Sequence, residues 1–310
     1  MIRLIGVVLG IVCCSAVAVR ATGTADAFAG NGSRLFLEVG LRQQQGKALE
    51  LVYDGPFLLS ELTWDIQDLL YAGGTLQWRV APRWRLVCSY WEAVTEGNGG
   101  MEDYDYFLPG IWTDFSDGPV DINRAYTFDI RADWILWQHS ARQLQLRAGY
   151  RQMYWGWSQY GGDFIYSEDG FRDFRGSFPV DQNGINYKQT FSIPYVGLGM
   201  EAHYERWQVA AYAHYSPVAS AEALDEHVQR DLFFEDSFDN VKYYGLGFSV
   251  GYQLGDRWHV AGSWDWHDIP ESRGDIRIID AIDGTEESYD DSAGIANKAQ
   301  SLSLSVGMRF

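Results

Sequence analysis

The sequence predicts an all-β fold, a ten-stranded antiparallel transmembrane β-barrel with long extracellular loops and short periplasmic turns. Two observations predict it: many segments alternate between apolar residues and charged or small ones, and short turns alternate with long polar connections. A third observation argues against a helical membrane protein. No stretch beyond the N-terminus holds the roughly eighteen apolar residues that a spanning helix needs.

The N-terminal segment is typical of a secretory signal peptide. Arg3 precedes an almost wholly apolar run, residues 4–19, and two sites of the small-x-small type follow it. This order of a charged start, an apolar run and a cleavage site is the pattern of an export signal. We therefore predict a signal peptide over residues 1–27, cleaved between residues 18 and 27, and a single barrel domain over residues 28–310.

Alternation is clearest at residues 301–310, SLSLSVGMRF, where every second side chain is apolar and the last is Phe310. A lipid-facing barrel wall and a half-buried strand of a soluble sandwich share this pattern, so one strand cannot separate them. In the other alternating segments the second face carries charges or glycines, which a wet lumen accepts and a sandwich core excludes. These segments are residues 35–42, 126–136, 196–202 and 246–254.

Four short turns and five long polar connections divide the chain into ten strands. The short turns are predicted at residues 81–84, 139–143, 204–207 and 255–258. The long connections are predicted at residues 53–61, 97–122, 160–184, 219–240 and 271–298. This asymmetry is typical of bacterial outer-membrane barrels, whose long loops face outside and whose short turns face the periplasm. We therefore expect the protein in the outer membrane, among its lipids.

The charge balance limits the partners that the protein can bind. The chain has 42 acidic and 24 basic residues, a formal net charge of -18. Such a charge repels the phosphates of nucleic acids and attracts cationic peptides or proteins. The sequence therefore predicts cationic partners and no nucleic acid.

Two pairs of titratable residues are predicted at the extracellular rim of the barrel. A barrel of about ten strands is filled by its own side chains, so we expect function at the rim. Asp103 and Asp105 lie two residues apart on one predicted strand, and Asp225 and His227 lie two residues apart on another. Side chains two apart on a strand share a face, so Asp225 can orient the His227 ring as a general base requires. Each pair taken alone also fits a solvated acidic loop.

Several segments in the right order resemble the omptins, outer-membrane endopeptidases that form ten-stranded barrels. The similarity extends over nearly all of the predicted mature chain. The segments that carry it are EDYDYF (102–107), GIWTDFSDG (110–118), YGGDFIYSEDGFRD (160–173), RGSFP (175–179), YKQTFSIPYVGL (187–198) and LDEH (224–227). The resemblance implies hydrolysis of peptide bonds by an activated water, with no covalent intermediate, no metal and no cofactor.

Carried over by position, the resemblance gives the four rim residues catalytic roles. Asp225 and His227 match the family's Asp-His dyad, in which the neutral imidazole takes a proton from the water and the carboxylate holds the ring. Asp103 and Asp105 match its paired aspartates, which fix the water from the other side. Two neighbouring carboxylates raise the proton affinity of at least one of them and keep the site negative, which favours imidazolium as it forms.

The resemblance also implies a preference for cleavage beside basic residues, read by acidic groups in the first subsite. Glu50 matches one of these groups. The second acidic position falls on Ala223, with Glu222 beside it in the sequence. Basic preference is therefore half supported, and either Glu222 compensates or the subsite is looser.

The family binds lipopolysaccharide phosphates on its outer wall through a Tyr-x-Glu-x-Arg run and a further Arg. The matching positions here are Tyr150, Gln152, Tyr154 and Thr190. Because the basic side chains are missing, either lipid contact uses other residues or dependence on lipopolysaccharide as an activating lipid is weaker.

Two other functions stay open at this point. One is a catalytically weak barrel that serves as an adhesin or plasminogen-binding surface, with the acidic rim as its docking patch. The other is a metal-dependent hydrolase or a calcium-bound loop. Oxygen ligands for it would come from Asp103 and Asp105 and from SEDG at residues 167–170. The metal hypothesis predicts sensitivity to chelators, whereas the water-only mechanism predicts none.

Overall fold

The computed structural model describes residues 34–310, which form one antiparallel sheet. The predicted signal peptide lies outside the described residues. No helix within residues 34–310 is long and apolar enough to cross a membrane. The strands are β1 Leu35–Asp54, β2 Phe57–Ala81, β3 Trp84–Ala93, β4 Gly97–Asp105, β5 Asp114–His139, β6 Arg142–Tyr160, β7 Asp163–Tyr166, β8 Phe174–Ser177, β9 Asn183–Tyr204, β10 Trp207–His227, β11 Leu232–Gln253, β12 Trp258–Asp280 and β13 Thr285–Arg309, with a short 3-10 turn, Val228–Arg230, after β10.

The sheet closes into a ring of ten strands, which confirms the predicted barrel. β1 pairs with β2 on one side and with β13 on the other, so the two ends of the sheet meet. β3 and β4 follow one another between β2 and β5 and together form one strand of the wall. β7 and β8 form a small hairpin on the upper part of β5, outside the ring.

The two ends of the barrel differ in a way that the sequence predicted only in part. The four short turns lie where they were expected, between β2 and β3, β5 and β6, β9 and β10, and β11 and β12. Most of the residues expected in long loops, however, continue the strands. The nine unbroken wall strands have 19 to 26 residues, about twice what a tilted strand needs to cross the bilayer. The extra length pairs with its neighbours above the membrane.

An apolar belt on the outer wall marks the membrane-spanning part. Its exposed side chains include Val39, Leu41, Leu86, Ile130, Leu146, Val196, Leu198, Val209, Leu246, Phe248, Leu302 and Leu304. Exposed tyrosines, Tyr150, Tyr215 and Tyr244, follow at its extracellular edge, as interfacial aromatic girdles do. Asp225 lies ten residues beyond Tyr215 on β10, so the rim residues are outside the membrane-spanning segments.

Inside the belt, ion pairs fill the lumen. Asp133 is fully buried, and its carboxylate contacts Arg85 at 2.9 Å and Arg131 at 3.0 Å. Arg85 also bonds Glu201 at 2.5 Å. Alternating acidic and basic side chains neutralise one another at this level, as buried charges must.

The lumen network generates a stability prediction. We expect Asp133→Ala to lower the free energy of unfolding by about 3–5 kcal/mol, because the arginines around it lose a buried counter-ion. Urea unfolding of the refolded protein, followed by tryptophan fluorescence, measures this change. Asp121→Ala, an exposed aspartate on the same strand, is the control and should change stability by less than about 0.5 kcal/mol. Equal effects of the two substitutions would contradict a structural role for the network.

Candidate functional site

The four candidate catalytic residues lie at the extracellular ends of two wall strands. Asp103 and Asp105 end β4, and Asp225 and His227 end β10. Asp103, Asp105 and His227 line one open cavity of about 880 Å³, and Asp225 lies directly beside the His227 ring. Two pairs that are more than a hundred residues apart in sequence therefore meet across the rim.

Asp225 and His227 form a hydrogen-bonded pair. The Nε2 atom of His227 lies 2.8 Å from Oδ2 of Asp225, whose side chain is only 3% exposed. Phe234, on β11, packs its ring 5.2 Å from the imidazole. A ring that donates from Nε2 to a carboxylate leaves Nδ1 as the nitrogen that can accept a proton in the neutral form.

Arg230 contacts that second nitrogen, and the sequence analysis did not single it out. Its guanidinium donates to Nδ1 of His227 from the 3-10 turn that follows β10. Its positive charge also lowers the pKa of Asp103 and of Asp105, opposing the larger effects that raise them. Arg230 therefore links the dyad to the aspartate pair.

Asp103 and Asp105 hold a proton more tightly than ordinary aspartates. Burial raises the pKa of Asp103 well above its usual range, and the neighbouring Asp105 raises it further. Burial is also the main cause of the raised pKa of Asp105. Ser60 donates a hydrogen bond of 3.1 Å to Oδ1 of Asp103 and lowers both pKa values. The pair can therefore retain one proton under conditions where an isolated aspartate is ionised.

Glu50 and Glu222, the two residues predicted to bind substrate, do not lie together in the structure. Glu50 is buried on β1 and accepts a hydrogen bond of 3.1 Å from Nε1 of Trp64. Burial raises its pKa well above the usual range, and Asp225 and Asp236 raise it further. Glu222 is exposed, whereas Ala223 and Asp225 are buried. It thus points away from the lumen, which corrects the expectation that it lines the same subsite as Glu50.

Asp236 is a buried acidic residue that sequence reasoning missed. It lies on β11 directly opposite Ala223 on β10 and is 6% exposed. Burial raises its pKa to about 8, with a further contribution from Asp225. Alternation along β11 could have indicated that Asp236 faces inward. Only the cross-strand register shows that it lies next to the strand that carries Asp225 and His227.

The four positions considered for lipid contact lie on the outer wall, on β6 and β9. Tyr150 donates a hydrogen bond of 3.0 Å to Ser192, and Tyr154 stacks on Tyr126 with ring centroids 5.3 Å apart. Gln152 and Thr190 are partly exposed beside them. This surface is aromatic and polar. Arg124 provides a positive charge near it, with its Cζ atom 5.8 Å from the centroid of the Tyr154 ring.

The residues considered as metal ligands lie at the end of β4 and in the loop between β7 and β8. Within residues 34–310, no three His, Cys, Asp or Glu side chains are arranged to hold a metal ion. In the SEDG segment, the Ser167 amide donates to Asp114 at 2.6 Å and the Glu168 amide donates to Asp173 at 3.1 Å. These bonds hold the loop between β7 and β8 against the cavity wall.

Comparisons with known proteins agree on one family. A family model described as the Omptin family matches residues 33–310. Outer membrane protease OmpP of Escherichia coli K12 is 30% identical over 272 residues, 85% of this chain and 86% of the relative. The plasminogen activator of Yersinia pestis is 29% identical over 271 residues, 86% of each chain. The crystal structure of outer membrane protease OmpT from Escherichia coli superimposes with a TM-score of 0.86 at 27% identity, covering 89% of this chain and 97% of that one.

The buried carboxylates generate a prediction about pH. Asp236 has a pKa of about 8 in the folded protein and an ordinary value near 4 when unfolded. The stability that its bound proton provides is complete below about pH 4 and is lost as pH rises to about 8. We therefore expect Asp236→Asn to weaken the fall in the urea midpoint between pH 5 and pH 8.5. Glu222→Gln, exposed at the same level of the barrel, should leave the fall unchanged. Identical pH dependence in wild type and Asp236→Asn would contradict the burial of an ionisable Asp236.

Proposed function

The chain belongs to the omptin family, is an outer-membrane peptidase, and on that premise we propose that it is an endopeptidase whose nucleophile is a water activated by Asp225 and His227. Asp103 and Asp105 act on the same water from the opposite side. The observation that carries the proposal is the 2.8 Å bond within the dyad beside a cavity that both His227 and the aspartate pair line.

His227 is the general base of this mechanism. Asp225 accepts a hydrogen bond from the Nε2–H group of His227, so the lone pair of Nδ1 is the one available to the reacting water. When Nδ1 takes the proton of the water, the buried Asp225 carboxylate stabilises the imidazolium. Arg230 must leave Nδ1 for a water to bind there.

In the aspartate pair, the ionised and the protonated residue have different roles. The ionised member accepts a hydrogen bond from the attacking water and orients it. The protonated member donates to the carbonyl oxygen, where negative charge develops during the attack. His227 then returns its proton to the leaving amine, so the two halves of the peptide separate without a covalent intermediate.

The charge of the rim supports a cationic substrate. The buried carboxylate of Glu50 lies within electrostatic range of Asp225, and the whole chain carries a net charge of -18. When Glu50 is ionised, a basic residue beside the cleaved bond meets an opposite charge there, whereas an acidic one meets repulsion. The proposed substrates are therefore cationic peptides or protein segments cut beside Lys or Arg. The proposal requires no metal or other cofactor, and lipopolysaccharide is treated as an activating lipid to be tested.

The assay that tests this function is cleavage of a fluorogenic Arg-Arg peptide by protein refolded in detergent. We expect cleavage that resists chelator and falls at least about a hundredfold in His227→Ala, since general bases contribute about 10²–10⁴. His139→Ala, a substitution at an exposed periplasmic turn, is the control and should retain activity.

Parallel reactions with and without lipopolysaccharide measure the contribution of the lipid. If folded wild type cleaves neither dibasic nor diverse peptides in any of these reactions, the protein is not an endopeptidase. The barrel would then act as an adhesin or plasminogen-binding surface, with the acidic rim as its docking patch.

A second prediction concerns the pH profile of cleavage. Ser60→Ala removes the hydrogen bond that lowers the pKa of Asp103 and Asp105. One member of the pair must be ionised for the reaction, so the acid limb of the kcat/KM profile should move to higher pH. Ser60→Thr keeps the hydroxyl and should restore the wild-type limb. An unchanged limb in Ser60→Ala would show that the pair does not titrate in the reaction.

A further inference from the structure

The carboxylate of Asp236 has no partner in the described part of the chain. Its Oδ1 atom is fully buried and makes no hydrogen bond within residues 34–310. No Lys, Arg or His of those residues forms an ion pair with it. A buried and unpartnered carboxylate is unfavourable, by several kcal/mol when ionised, and a cationic ligand that reached it would offset that cost.

The groups around Asp236 are also acidic or neutral. Glu50 on β1 and Asp225 on β10 are near enough for the three carboxylates to influence one another. Tyr187 on β9 is the other titratable group that Asp236 affects, and its phenol is neutral. The facing residue on β12 is Ile276. The site thus concentrates carboxyl groups, and no positive side chain within residues 34–310 forms an ion pair with Asp236, so a cation that enters would favour their ionised forms.

The neighbouring side chains suit a long cationic side chain. Ala223 is the residue opposite Asp236 on the dyad strand, and its methyl group is small and carries no charge that would oppose a cation. The rings of Trp64 and Tyr187 stack 5.1 Å apart, and Trp64 also binds Glu50. Aromatic faces pack against the methylene stem of Lys or Arg and attract its charged end.

We propose that Asp236 is a specificity-determining residue, which together with Glu50 binds the guanidinium or ammonium group of the substrate residue beside the cleaved bond. It supplies from β11 the second negative charge that Ala223 does not supply from β10. The inference rests on the proposed peptidase function and names the residue that selects its substrate.

The proposal makes selectivity depend on pH. Asp236 has a pKa of about 8 in the free protein, raised by burial and then by Asp225, so it gains its charge as pH rises through that value. Glu50, Asp225 and Tyr187 are the titratable groups that face it, and none is positive. The preference for a cationic residue over a neutral one of the same shape therefore increases between pH 6 and pH 9.

Two peptides that differ only at the residue before the cleaved bond test this inference. One carries arginine there and the other carries citrulline, which has the same shape without the charge. The measured quantity is the ratio of kcat/KM for the two peptides. We expect Asp236→Asn to lower the arginine-to-citrulline ratio at least about tenfold, since losing one partner of a close charge pair has effects of this size or larger. Cleavage of the citrulline peptide should persist, and Glu222→Gln should leave the ratio unchanged.

The outcomes separate this inference from the proposed function. Wild type that cleaves neither peptide overturns both. Wild type and Asp236→Asn that share the same ratio overturn the role of Asp236 and leave the peptidase intact. Asp236→Glu keeps the charge and should retain most of the ratio, which a merely structural role would not predict. If Asp236→Asn does not fold, Asp236→Ser, smaller and uncharged, is measured in its place against the same expectation.

Discussion

Closure of the ten-strand sheet is the constraint on which the rest of this structure depends. Once β1 pairs with β13, each strand has two neighbours in a set register, and each side chain faces either the lumen or the outside. Two residues that are two apart on one strand then share the inner face. The extension of the strands above the membrane carries this rule to the rim, where Asp103 and Asp105 meet His227 across the cavity.

Acidic side chains in the lumen are paired differently in the membrane-spanning part of the barrel and at the rim. Within the membrane-spanning part, Asp129 and Asp133 each contact arginines, so buried charges of opposite sign neutralise one another. At the rim, Glu50 and Asp236 are buried with no such partner among residues 34–310. The lower level is stabilised by its ion pairs, while the upper level holds carboxyl groups whose raised pKa values reflect the missing cation. This division supports the account in which the barrel wall gives rigidity and the rim binds a cationic substrate and polarises a water.

Much of the architecture was predictable because a strand repeats every two residues and short turns punctuate the chain. The number of wall strands and the positions of the short turns follow from those local patterns. The extent of the upper strands did not follow, because their polar faces resemble loops when the partner strand is unknown. The same limit explains Asp236: a pocket is assembled across strands, so the approach of Asp236 to Ala223 is not visible in a linear motif. The outward face of Glu222, by contrast, follows from alternation, because it lies three residues before Asp225. Arg230 lies in a turn, where alternation makes no prediction.

In the proposed mechanism, the dyad and the aspartate pair act on one water as a single unit. The most direct test measures kcat/KM for wild type, Asp103→Asn, His227→Ala and the double variant on one peptide. Substitutions of residues that act as a unit have strongly non-additive effects, so we expect the double variant to be only slightly less active than the worse single variant. If the two losses multiply, the residues act in independent steps and the shared-water mechanism is contradicted.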